Sequence, residues 1–216
     1  SANTSGEKNT GVGSSTLAFN TSGEKNVAVG YVALEKNETG SRNTAVGESA
    51  LDANTTASQN TAIGCRSLSS NTTGALNVAV GDEALFSNTT ASHNTAVGND
   101  ALYANETGTQ NTAVGANALD AVTTTSAHTA VGYRALSTNT SGQANTAVGN
   151  DSLLANTTGD FNTAVGNASL AANNIGTDNT AIGKFAGIGI TSGNNNTCVG
   201  SGAGSSLGTG HNNILL

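Results

Sequence analysis

The sequence predicts an all-β chain folded as a parallel β-solenoid of about twelve coils, 17 residues to the coil. Three observations predict it. Asn recurs at Asn9, Asn26, Asn43, Asn60, Asn77, Asn94, Asn111, Asn145, Asn162, Asn179, Asn196 and Asn213, with His128 at the single missing beat and no insertion or deletion. A fixed short period identifies a repeat architecture ahead of any domain-by-domain reading. Counting from that Asn, Val or Ile holds position 4 and Gly holds position 5 in all twelve repeats. Finally, the 14 acidic and 7 basic residues all fall at positions 6, 7, 10, 11, 13, 16 or 17. Those positions are the solvated rim, because unpaired charges are costly to bury.

The coil NTAVGNDALYANETGTQ (94–110) shows the expected elements in order. Positions 1 to 4 run from Asn through a β-branched residue, a small one and Val, which favours a short extended strand. Gly follows, as at Gly30, Gly47, Gly98 and Gly149, where a positive φ or a close backbone approach is expected. Position 8 is Ala, Ser or Thr, and position 9 is Leu in ten of twelve repeats, so positions 8 to 11 are read as a second strand. Positions 12 to 15 carry the turn chemistry of Asn and Gly, as at Asn71–Gly74 and Asn156–Gly159. The Asn columns at positions 1 and 12 are placed to form side-chain ladders along the axis.

Strand alternation then assigns the faces. The coil interior is expected to be Val29, Leu34, Val46, Leu51, Val97, Leu102, Val114, Leu119, Val148 and Leu153. The small residues at position 3 (Ala28, Ala45, Ala96, Ala113, Ala147 and Ala164) then point outward, and a near-uniform Ala column free of charge expects a neighbour. One Val and one Leu are a thin core for 17 ordered residues. A homo-oligomer is expected, a trimer about a long axis with those Ala as the chain–chain contact.

The phrase at Asn43–Leu51 and Asn111–Leu119, NTAVGxxAL, resembles the NSxAIGxxA repeats in the heads of trimeric autotransporter adhesins. It is also similar to repeats of bacteriophage tail-fibre-like proteins, which often precede a self-cleaving chaperone domain. The resemblance covers nearly the whole chain and is specific in its Asn, small-Val and Gly positions. It implies a left-handed β-roll, three chains per fibre, and an adhesive or spacer role at a cell or virion surface, with a host receptor or glycan as the ligand class. The adhesin repeat is usually shorter than 17 residues, and no stalk coiled coil, anchor or chaperone is visible here.

Composition narrows the function classes. The net charge of −7 is spread along the chain, which does not suit nucleic acid. No apolar run approaches the length of a membrane span. No cofactor motif or zinc spacing appears, and Cys65 and Cys198 stand eight repeats apart, too far for an intrachain disulfide. His93, His128 and His211 occupy different positions in distant coils, so no catalytic constellation assembles and the chain is read as a non-enzyme. Both ends fall inside a coil, as expected of a piece of a longer fibre.

Four features compete with a purely structural reading. Nine position-12 Asn, among them Asn54, Asn88 and Asn139, lie in glycosylation sequons, but Val122, Ile190 and Leu207 in the same column favour a turn role. The Thr at positions 13 and 14 raise an ice-binding alternative, strengthened by a similarity of NTxVG to the rolls of a grass antifreeze protein. That column lies in a turn and is interrupted by Glu38 and Glu106. Phe86 and Tyr103 share position 10 in consecutive coils and should stack. Val122, Thr125 and His128 break the pattern together and are read as one repacked corner. The regular array is assigned to 1–183 and a modified end to 184–216, where Leu at position 9 becomes Gly187 and Gly204 while Ile190 and Leu207 appear three residues later. That exchange reads as volume compensation, and Asn213 onward as the start of a new element.

Overall fold

The computed structural model describes residues 3–216. It is a parallel β-solenoid of about twelve 17-residue turns, divided into two compact units, Ser1–Gln110 and Asn111–Leu216. Unit 1 contains β1 (Thr10–Val12), β2 (Val27–Val29), β3 (Thr44–Val46), β4 (Thr61–Ile63), β5 (Val78–Val80) and β6 (Thr95–Val97). Unit 2 contains β7 (Thr112–Val114), β8 (Thr129–Val131), β9 (Thr146–Val148), β10 (Thr163–Val165), β11 (Thr180–Ile182), β12 (Thr197–Val199) and β13 (Ile214–Leu215). Within each unit every strand pairs in parallel with the next, one period on: Thr44 with Thr61, Ala45 with Ala62, Val46 with Ile63. Ile214 and Leu215 continue this register against Thr197 and Cys198, so the segment from Asn213 opens a further coil rather than a new element.

The structure corrects the face assignment of the strand. Ala28, Ala45, Ala96, Ala113, Ala147 and Ala164 are completely buried in their own coil, so they are unavailable as chain–chain contacts. Their neighbours Val29, Val46, Val97 and Val148 are half-exposed on the outside and Val114 is 36% exposed, so the Val column is not interior. The cause is the Leu column. A Cβ placed on Gly11, at position 3, would lie 3.7 Å from Leu17 Cδ1 across the coil. Leu34, Leu51, Leu102, Leu119 and Leu153 are fully buried and leave room opposite for a methyl group only. Alternation along the strand then sends Val outward.

The second strand is also corrected: positions 6 to 11 are a run of turns. Ala33 and Leu34 are adjacent and both fully buried, which no extended strand allows. The backbone manages it by entering the left-handed region at positions 7 and 9, as at Ser49 (φ 54°) and Leu51 (φ 54°). These turns still bond coil to coil, Leu51 N–H to Ser67 O at 3.0 Å and Ala53 N–H to Ser69 O at 3.1 Å.

Position 17 is left-handed too, and there the side chain is solvent-facing, as at Phe161 (φ 55°, 60% exposed). A left-handed residue costs roughly 1–2 kcal/mol unless it is Gly or a locally bonding Asn. Phe161→Asn is therefore expected to raise stability by about 0.5–1 kcal/mol, read as a higher urea midpoint at unchanged slope.

The rest of the interior is polar and periodic. Asn37 Nδ2 donates to Asn20 Oδ1 at 2.7 Å, Asn54 to Asn37 at 2.7 Å and Asn88 to Asn71 at 2.8 Å, forming the position-12 ladder. Each of these amides also closes its own turn on the position-15 carbonyl, as Asn71 does on Gly74 and Asn156 on Gly159 (2.9 and 3.0 Å). At position 1 the Asn Oδ1 accepts the backbone N–H of the next coil's Asn, Asn43 to Asn26 at 2.9 Å. Its Nδ2 donates to the same position-15 carbonyl, Asn43 to Ala57 O at 2.9 Å. In the coils that keep both Asn, two amides thus satisfy the backbone at the corner where the chain leaves one turn for the next.

At the C-terminal end of unit 2 the volume exchange is visible atom by atom. A Cβ on Gly187 would stand 3.0 Å from Leu170 Cδ2 and 3.2 Å from Ile190 Cδ1, so the Ile side chain fills the place vacated by Leu. Ile190 is fully buried, and it cannot donate to Asn173, whose Oδ1 has no partner.

Candidate functional site

The feature most able to meet another molecule is the outward face of the strands. It consists of the position-2 and position-4 side chains, β-branched without exception across β2–β6 in unit 1 and β7–β12 in unit 2. Exposure reaches about two-fifths at Val27 (37%), Ile63 (40%), Val78 (36%) and Ile182 (43%), and most other members of the two columns are half-buried. No charged residue enters either column. One border is the buried Asn of position 1, and the other is the position-5 Gly, with φ of 135° at Gly30, 136° at Gly47 and Gly98, and 133° at Gly149. A Cβ on Gly47 would lie 2.3 Å from Gly64 O, so this border admits no side chain. Within each unit the face is therefore a strip with a rank of mostly Thr beside a rank of Val and Ile. Among the described residues, the position-2 Thr hydroxyls have no protein hydrogen-bond partner.

The Thr column weighed in the sequence is a different one. At position 13 the hydroxyls are spent inside the coil stack: Thr21 Oγ1 donates to Glu38 O at 2.9 Å, Thr72 to Thr89 O at 3.0 Å and Thr140 to Thr157 O at 3.1 Å. The strand-face Thr were visible in the sequence as a β-branched, charge-free column at position 2. Assigning Val to the interior hid their partnership with position 4.

The remaining candidates resolve into packing. Asn54, Asn88 and Asn139 are fully buried in the ladder region, out of reach of glycan transfer in the folded coil. Phe86 and Tyr103 stack with centroids 5.2 Å apart and planes 5° from parallel. Arg66 lies over Phe86 at 5.8 Å and pairs with Glu83, which raises the guanidinium's pKa further. This is a half-buried inter-coil contact on the rim. His93 is exposed, His211 accepts the Asn194 N–H at 3.0 Å, and His128 is buried within the position-1 column. Cys65 is exposed and Cys198 buried, both as free thiols. Among the described residues no group of three or more His, Cys, Asp or Glu is placed to hold a metal ion.

No family model, curated protein or solved structure matches the chain at a significant level.

Proposed function

We propose that the chain is a structural segment of an extracellular fibre, a spacer or adhesive shaft of a cell-surface or virion appendage, in which copies pack through the outward Thr/Val face. One observation carries this reading. A parallel sheet is ordinarily covered on both sides. Here Ala and Leu cover the inner side, and the outer side carries a half-exposed, uncharged strip of Val, Ile and Thr. Within each unit, an uncharged strip of this kind marks an interaction surface. A second copy suits it best, because only a partner of the same 17-residue period can repeat one contact coil after coil. Val27 and Val78 replace Thr at position 2 without interrupting the strip, which favours packing over hydroxyl chemistry.

The adhesin resemblance adds the number three, a left-handed winding, and a receptor or glycan as the ligand of the assembled fibre. The role is architectural, without catalysis or cofactor. Sedimentation equilibrium at about 10 µM tests it, with three chain masses expected. Val46→Lys with Val80→Lys is expected to give a folded monomer, because both side chains already point to solvent and charge is excluded only by the partner. A stable, fully folded monomer of the parent chain overturns the reading.

The second reading is ice binding, favoured by the unpartnered strand-face Thr hydroxyls. It predicts a monomer with measurable thermal hysteresis that Thr95→Lys abolishes. The fibre reading predicts oligomers without hysteresis.

A further inference from the structure

In unit 2 the corner built by Asn at positions 1 and 12 is interrupted where Val122, Thr125 and His128 replace the usual Asn, Gly and Asn. His128 is buried, 1% exposed, and keeps the column's backbone bond, its N–H donating to Asn111 Oδ1 at 3.0 Å. Its ring takes over the amide's work. Nδ1 accepts the Asn145 N–H at 3.2 Å, the bond an Asn Oδ1 accepts in the coils from Asn145 onward, for example from Asn162 N–H at 2.9 Å. An accepting Nδ1 places the ring proton on Nε2, where Thr125 Oγ1 lies 3.0 Å away to accept it. Val122 is fully buried and, unlike the Asn usual at its position, carries no amide.

We propose that this corner is an acid-labile joint: a second proton on His128 faces the Asn145 N–H donor, breaks the coil-to-coil bond and opens the corner. No Asn in the same column can do this, since the amide does not titrate.

The surroundings hold the ring neutral. Coil 111–127 presents Asn111 and Thr125 to it, coil 128–144 presents Asn139 and Gly142, and none carries a charge. The hydrogen bond with Gly142 favours protonation, as does Asp160 from coil 145–161, the one charged group bearing on the ring. Burial outweighs them and lowers the imidazole from 6.5 to about 4. The open corner therefore binds a proton between about 6.5 and about 4 where the closed one does not. Closure is fully favoured above that window and weakens as pH falls through it.

The experiment is amide hydrogen exchange on the whole chain at about pH 7 and about pH 5, corrected for intrinsic rates, with the Asn162 amide as internal reference. Protection of the Asn145 amide relative to Asn162 is expected to fall on the order of 20-fold at the lower pH. Val122→Asn, Thr125→Gly and His128→Asn together restore the repeat residues and are expected to hold the change within about twofold. His93→Asn, at an exposed rim position, should leave the 20-fold change intact. An equal acid loss in the restored chain, or none in the parent, overturns the proposal. NMR titration of the His128 ring needs no variant, and a midpoint near 6.5 overturns it as well.

Discussion

Gly47→Ala is expected to destabilise unit 1 by at least about 3 kcal/mol, read from the urea midpoint. Two effects combine. The φ of 136° belongs to a region that side-chain-bearing residues rarely enter, and the new Cβ meets Gly64 O at 2.3 Å and Gly64 C at 2.6 Å. Both are backbone atoms of the next coil, held in place by the Gly64 N–H bond to Val46 O at 2.8 Å. Gly40→Ala is the control. Its Cβ would crowd Ala57 O at 2.2 Å, yet Ala57, Ala91 and Thr125 occupy the same column, so that carbonyl yields. The control is expected to lose about 1 kcal/mol. Equal losses at the two sites would show that crowding, not the backbone region, makes position 5 obligatory.

The contrast between those two glycine columns was legible from the sequence, because one is uninterrupted over twelve repeats and the other tolerates Ala and Thr. So were the period, the parallel pairing and the Asn ladders, each of which follows from identical residues stacking one coil apart. The parity of the strand was not. Alternation permits only two answers, Val in or Ala in, and the larger apolar residue is the natural choice for a core. What reverses it is the depth of Leu34 and its equivalents, which depends on the path of positions 6 to 11. That path uses left-handed backbone at Leu and at the residue two before it, conformations that Leu, Ser or Arg do not announce. One unreadable pair of dihedrals thus moved the Ala from the outside to the inside. It also turned the Val column, with the Thr beside it, into the surface that the proposed function rests on. The oligomer expected from exposed Ala lost that argument and gained another from exposed Val.

The buried amides can be tested by removing one. Asn43→Ala deletes the acceptor of the Asn60 N–H (3.0 Å) and the donors to Ala57 O (2.9 Å) and Asn26 Oδ1 (3.2 Å). Ala57 O keeps a second donor in Asn54 Nδ2 at 3.1 Å, so the Asn60 amide is the group left orphaned in the interior. An orphaned buried donor costs roughly 1–3 kcal/mol and each lost bond about 1, so a loss of about 3–5 kcal/mol is expected. Asn43→His alone should do little better, because Asn37 and Gly40 offer the ring no hydroxyl. Adding Asn37→Val and Gly40→Thr reproduces at this corner the trio found at Val122, Thr125 and His128. Those three together are expected to recover at least about half of the loss at neutral pH, even though Asn37 leaves its ladder, since the Asn60 N–H regains an acceptor. The recovered stability should then vanish on acidification below about pH 5, as the imidazole protonates. Recovery from Asn43→His by itself would mean that the three substitutions do not act as one corner.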